Sequence, residues 1–170
     1  GVVMNAKAMS LKAKIKNYAI KNNIAAQVVL QNFMFERFLA RLSRSKYSQM
    51  FVIKGGMLIA SLVGIDTRAT MDLDATLRNL PLKKEEIEKA VREICAQHLD
   101  DDVRFEIKSI ECIRKDDVYG GYCVKMQAFY ETIVTPLSLD ISTGDIITLA
   151  AVPYEFIGMF DNSIRIKLWV

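Results

Sequence analysis

Asp72 and Asp74 stand two residues apart in the run Thr70-Met71-Asp72-Leu73-Asp74-Ala75. On a strand that spacing puts both carboxylates on one face, with Met71, Leu73 and Ala75 on the other. Two neighbouring anions repel unless a positive charge lies between them, and a hard, oxygen-seeking cation such as Mg²⁺ suits such a pair. A lone Asp-x-Asp is more often a solvated strand end or a cap. Here the apolar alternation around it argues against a loop. A third acid, Asp140, lies in the apolar run Pro136-Leu137-Ser138-Leu139-Asp140-Ile141, where a carboxylate is costly unless it is paired or metal-bound. Two local acids and one distant acid are what a two-metal phosphoryl or nucleotidyl transfer site requires.

A phosphate cradle precedes the paired acids. Phe51-Val52-Ile53-Lys54-Gly55-Gly56-Met57 reads as a strand, a double-glycine turn and the start of a short helix over 57–63. Gly55 and Gly56 lack a Cβ, so the backbone can bend sharply and a phosphate can approach closely. The unpaired N–H groups of the following helix would point at that phosphate. Lys54 and Arg68 flank the turn and either offset phosphate charge or serve as structural ion-pair partners. Gly-Gly turns are common, and it is the combination with the carboxylates that carries the reading.

The stretches Lys54-Gly55-Gly56-Met57-Leu58, Arg68-Ala69-Thr70-Met71-Asp72-Leu73-Asp74 and Leu139-Asp140-Ile141-Ser142-Thr143-Gly144-Asp145 resemble those of the AbiEii/AbiGii toxin nucleotidyltransferases, within the DNA polymerase β-like superfamily. Residues 5–15 and 29–38, and Tyr154-Glu155-Phe156, are similar to family members as well, so the likeness covers most of the chain. It implies metal-dependent transfer of a nucleoside monophosphate from a nucleoside triphosphate, with pyrophosphate released. The acceptor would be a cellular target, a transfer RNA in some relatives. The biological setting implied is a toxin–antitoxin or abortive infection system, with a cognate antitoxin encoded alongside.

On that resemblance Asp72 and Asp74 hold Mg²⁺ against the triphosphate, and Asp140 holds a second metal or deprotonates the attacking hydroxyl. Gly55, Gly56 and Thr70 contact phosphates, Thr70 aligning with the hydroxyl residue of the family's Arg-Ser/Thr-x-Asp-x-Asp pattern. Family members usually continue into a helical region with a Lys-containing motif and a further aspartate, which have no counterpart here. The chain therefore reads as an N-terminal fragment or a reduced family member: a helical segment over 1–48 and a nucleotidyltransferase core over 49–170 whose C-terminal part is missing. Two alternatives stand beside this. One is a non-catalytic module that keeps the scaffold to bind a nucleotide or partner. The other is a small-molecule nucleotidyltransferase of the antibiotic-modifying kind, which shares the motifs but fits the N-terminal likeness less well.

About half of the 170 residues are hydrophobic (51%), enough for a substantial core and against disorder. No apolar run approaches the roughly 18–20 residues that span a bilayer. Cys95, Cys112 and Cys123 are odd in number with no Cys-x-x-Cys spacing, which argues against a zinc site or disulfide scaffold and for a reducing cytoplasm. The net charge of +3 is uneven: residues 1–50 hold nine basic residues and one acid, the remainder fourteen and nineteen. Lys7, Lys12, Lys14, Lys16 and Lys21, then Arg37, Arg41, Arg44 and Lys46, make two basic helices suited to an RNA acceptor or an acidic partner protein, or simply two solvated faces.

Hydrophobic periodicity predicts a helix from a Ser10 cap to Lys21, and a second from Ala25 to Ser43 buried on more than one side. A third, over Lys83–Leu99, places the single histidine, His98, in its last turn, where it complements the helix dipole. Strands are expected over 50–54, 70–77, 103–113 with a bulge, 122–133, 137–141 and about 164–170. Asp116-Asp117 and Gly120-Gly121 are read as bracketing a hairpin turn, and Ser142–Asp145 as a turn in which Asp145 either stabilises the turn or assists the site. The fold class expected is α+β, a mixed, largely antiparallel sheet packed by helices, with an N-terminal helical pair.

Overall fold

The computed structural model describes residues 6–54, 72–115, 118–143, 153–160 and 165–169. Gly55, Gly56, the helix expected over 57–63, Arg68, Thr70, the turn at Asp116-Asp117 and Asp145 lie outside the described residues. Among the described residues three helices and seven strands form the expected α+β fold. In chain order they are α1 (Ala6–Asn22), α2 (Ala26–Arg44), β1 (Phe51–Ile53), β2 (Asp72–Leu77), α3 (Lys84–Cys95), β3 (Val103–Lys115), β4 (Val118–Tyr130), β5 (Ile133–Thr143), β6 (Pro153–Ile157) and β7 (Arg165–Trp169). Among them β6 is an addition to the strands read from the sequence.

α1 buries Ala8, Leu11, Ile15 and Ala19, a stripe at helical spacing. Because that stripe begins at Ala8, the helix starts before Ser10, which sits exposed within it and caps nothing. Asn23 ends α1 in the left-handed region (φ 53°), which asparagine tolerates better than most residues. α2 is enclosed on nearly all sides, lying against α1, α3, β5 and β7. Phe35, Phe38, Leu39 and Leu42 are fully buried on it, and so are Gln31, Asn32, Glu36, Arg37 and Arg41.

Those buried charges are paired, as a low-dielectric interior demands. Arg41 grips Asp101 with two hydrogen bonds of 2.8 Å and also donates to the carbonyls of Val103 (2.6 Å) and Arg37 (3.0 Å). Its guanidinium lies 5.0 Å from the Phe105 ring centroid, within cation–π range. Arg37 bonds Glu36 at 2.6 Å, and Glu36 accepts the Met159 backbone N–H at 2.8 Å. Burial raises the Glu36 carboxyl above its usual range, against the opposing pull of Arg37 and the Met159 N–H. The network ties α2 both to the segment entering β3 and to the segment after β6. Arg37 and Arg41, read as part of a second basic face, are thus turned inward, while Arg44 stays exposed.

α3 ends at Cys95, with Ala96 its C-cap, short of the expected Leu99. Leu99 is buried, so the chain must leave the helix axis to bring it into the core. His98 is exposed beyond the helix and complements no dipole. Glu85 and Glu86 in the first turn and Arg92 in the last do so instead.

The sheet order is β3-β4-β5-β2-β1-β7-β6. β2–β5 and β1–β7 are parallel and the other neighbours antiparallel. β3 is an edge strand of 13 residues, broken by register shifts between Ile107 and Ser109 and between Ile113 and Arg114. The first is the bulge anticipated from the slipped alternation. Arg104, Glu106 and Lys108 form an ion-paired row along it.

Gly120 and Gly121 correct the hairpin reading, since both lie inside β4. Gly121 has φ +127°, and a Cβ there would stand 2.1 Å from the Ile141 carbonyl oxygen. Only glycine allows β4 this close to β5 in that conformation. The residue's job is close approach.

Two stability outcomes follow. Arg41→Ala leaves Asp101 and the Val103 carbonyl without their buried partner and is expected to cost about 3–5 kcal/mol in urea unfolding. A cost below about 1 kcal/mol would mean the network is not a structural tie. Gly121→Ala is expected to lose at least about 1–3 kcal/mol from backbone strain alone. An unchanged melting temperature would show that β4 does not need the close approach.

Candidate active site

The alternation of β2 does what the spacing of its residues requires. Leu73, Ala75 and Leu77 enter the same core cluster as the α2 side chains, while Asp72 and Asp74 are exposed on the other face. β5 alternates likewise, with Leu137, Leu139 and Ile141 buried and Asp140 half-buried on the opposite face. The parallel register sets Asp74 beside Asp140 and Asp72 beside Ser138. A local pair and a distant acid, more than sixty positions apart in sequence, are thereby neighbours on one sheet face.

Asp74 and Asp140 open onto a cavity of about 300 Å³, which also meets Lys54, Ser142, Ile113 and Gly120. Lys54 follows β1, and its backbone N–H donates to the Asp74 carbonyl at 2.9 Å, which fixes the lysine next to the acids. Asp72 lies on the same face but does not line the cavity. A larger cavity, about 410 Å³, opens between α3 and β3 against Arg92, Cys95 and Phe105. It contains none of the expected site residues, so size does not single out the chemistry here.

Asp74 and Asp140 supply the oxygen donors a hard divalent cation takes, and Mg²⁺ commonly uses one or two carboxylates with water and phosphate oxygens completing its shell. The donor chemistry therefore fits. Among the described residues no three His, Cys, Asp or Glu side chains lie close enough together to hold an ion. The structure thus brings Asp74, Asp140 and Lys54 to one cavity, with Asp72 alongside.

Cys123 is a neighbour that sequence reading missed. It pairs with Asp140 across β4–β5. Burial, a hydrogen bond from its thiol to the Asp140 carboxylate, and the charges of Asp140 and Asp72 push its pKa up to about 11. Nothing in the sequence around it marked this position. Ser142, expected to open a turn, instead lies within β5, two residues after Asp140, and so shares its face. Ile113 and Gly120, at the far end of the β3–β4 hairpin, reach the cavity through tertiary pairing alone.

Carboxylates on adjacent parallel strands, beside a lysine and over a polar cavity, define a candidate phosphoryl-transfer site on an α+β sheet. Residues 37–168 match the family model of the nucleotidyl transferase AbiEii toxin of type IV toxin–antitoxin systems, and the chain belongs to that family. Its chemistry is accordingly that of a nucleotidyltransferase, and its setting that of a toxin–antitoxin system. Among curated proteins none matches the chain. Among the described residues no helix is long and apolar enough to cross a membrane.

The thiols provide a check on the local environment. Thiolates are the reactive form. Burial holds Cys95 up to about 12, Cys123 stands at about 11, and Cys112 is exposed. With a disulfide reagent at pH 7.5 followed by peptide mass mapping, Cys112 is expected to label at least about tenfold faster than the other two. Equal labelling of Cys123 would show that it is not held against Asp140.

Proposed function

We propose that the chain transfers a nucleoside monophosphate from a Mg²⁺-bound nucleoside triphosphate to a hydroxyl on a cellular acceptor, releasing pyrophosphate, and that this modification is the toxic act. The observation that carries the reading is the register of Asp74 with Asp140 over a cavity that also holds Lys54, in a chain of the AbiEii family. Asp72 and Asp74 would hold the metal, which when bound supplies positive charge against the triphosphate oxygens.

The protein's own side chains do the rest. Lys54 offsets phosphate charge at the β1 end, with Gly55, Gly56, Arg68 and Thr70 as the proposed remaining phosphate contacts. Asp140 accepts the proton of the attacking hydroxyl. That oxygen bonds to the α-phosphorus as the α–β bridging P–O bond breaks, and the electron pair leaves with pyrophosphate.

An RNA acceptor, such as a transfer RNA, draws support from α1, where Lys12, Lys14, Lys16 and Lys21 are exposed. α2 contributes less than its composition suggests. Arg37 and Arg41 are buried in ion pairs and Lys46 pairs with Glu93 at 3.3 Å. A reducing cytoplasm, where nucleoside triphosphates and a cognate antitoxin are at hand, is the compartment this activity needs.

Titration calorimetry with each nucleoside triphosphate, with and without Mg²⁺, tests the proposal. Mg²⁺-dependent binding is expected for at least one of them, weakened at least about tenfold, or 1.4 kcal/mol, by Asp74→Asn and by Asp72→Asn. Unchanged binding in both variants would refute the assigned site.

A further inference from the structure

The cavity beside Asp74 and Asp140 has two chemically different ends. Across the sheet its lining runs from Lys54 after β1, through Asp74 on β2 and Asp140 and Ser142 on β5, to Gly120 on β4 and Ile113 on β3. Among the described lining residues Lys54 stands at one end and the carboxylates in the middle. Among the described residues the other end, where the β3–β4 hairpin meets the end of β5, presents an isoleucine, a glycine backbone and a serine hydroxyl.

Displacement at phosphorus is in line, so the entering oxygen and the leaving pyrophosphate lie on opposite sides of the reacting atom. On the function proposed above, the phosphates and the departing pyrophosphate belong at the Lys54 end, where positive charge compensates them. The attacking hydroxyl must then arrive from the hairpin end.

From this geometry we infer that Ile113 and Gly120, together with Ser142, form the seat of the acceptor, and that the size of residue 120 sets what the seat admits. Ser142 shares a strand face with Asp140 and offers a hydroxyl two residues from the proposed proton acceptor. At position 120 a Cβ would already stand 3.3 Å from the Ile113 carbonyl oxygen and 3.6 Å from its Cγ2. A branched side chain there takes up the hairpin end of the cavity. Gly121 beside it, through its contact with Ile141, holds β4 near enough to β5 for the hairpin to reach the site. It acts as a positioning residue.

The experiment separates the two ends. Affinity for each Mg²⁺-nucleoside triphosphate is measured by calorimetry, and the KM for bulk transfer RNA by transfer of label from α-labelled triphosphates. Gly120→Val is expected to raise the acceptor KM at least tenfold and leave triphosphate affinity within twofold. Ser142→Ala should move the same way by a smaller factor. Lys54→Ala should do the reverse, weakening triphosphate binding with the acceptor KM little changed. Should Gly120→Val fail to fold, Ile113→Ala takes its place, with a changed acceptor KM and unchanged triphosphate affinity expected. Loss of triphosphate binding in the hairpin variants, or a wild-type acceptor KM in them, overturns the seat but leaves the transferase reading standing. Absence of Mg²⁺-triphosphate binding in the wild type removes that reading, and the seat with it.

Discussion

Six consecutive residue pairs hold β2 parallel to β5, from Asp72 with Ser138 to Leu77 with Thr143. Side chains alternate faces along a strand, so a slip of one residue would set Asp74 against a strand neighbour of the wrong orientation and drive a carboxylate toward the core. The register is secured from both sides. β5 is paired on its other edge with β4 through nine positions, and β2 with β1 through three. Leu73, Ala75, Leu137, Leu139 and Ile141 enter one core, so slippage would expose several apolar side chains at once. Placement of the acids is in this sense a by-product of hydrophobic burial on the opposite face.

Beneath that face lies α2, and its composition is unusual for an enclosed helix. Glu36, Arg37 and Arg41 are 4%, 3% and 2% exposed, values at which unpaired charges would be prohibitive. An apolar replacement of such a network is often no less stable, so raw stability does not explain it. Directionality does. Arg41 meets a carboxylate and two carbonyls at fixed angles, and Glu36 receives a backbone N–H from Met159. Hydrophobic contacts tolerate rotation of a helix about its axis, whereas these bonds do not. The helix is thereby set in one rotation relative to the sheet.

Much of this was legible in the residues because it is periodic. The Asp-x-Asp pair, the isolated Asp140 between leucine and isoleucine, and the broad apolar circumference of α2 each carry their own signature. So did the bulge in β3. What escaped depends on contacts between distant segments. The inward turn of Arg37 and Arg41 needs Asp101 and the chain near Met159, neither of which helical periodicity reveals. Gly120-Gly121 looked like a turn because glycine pairs usually are. Their role within β4 follows only once Ile141 is known to lie against them. Cys123 had no local signal, since its neighbour Asp140 is supplied by strand pairing. Ser10 and His98 were placed by short-range rules about caps and dipoles, and the positions of Ala8 and Leu99 in the core overrode both.

The interrupted edge strand has a bearing on how such a protein survives its own synthesis. Among the described residues nothing pairs with the outer side of β3, and a row of unpaired backbone groups along 13 residues is a template on which another nascent chain could add, layer upon layer. The offset between Ile107 and Ser109 interrupts that row. The alternating charges of Arg104, Glu106 and Lys108 give an incoming apolar strand nothing to match. β3 thus acts as an insulated border, keeping each sheet from recruiting its neighbours.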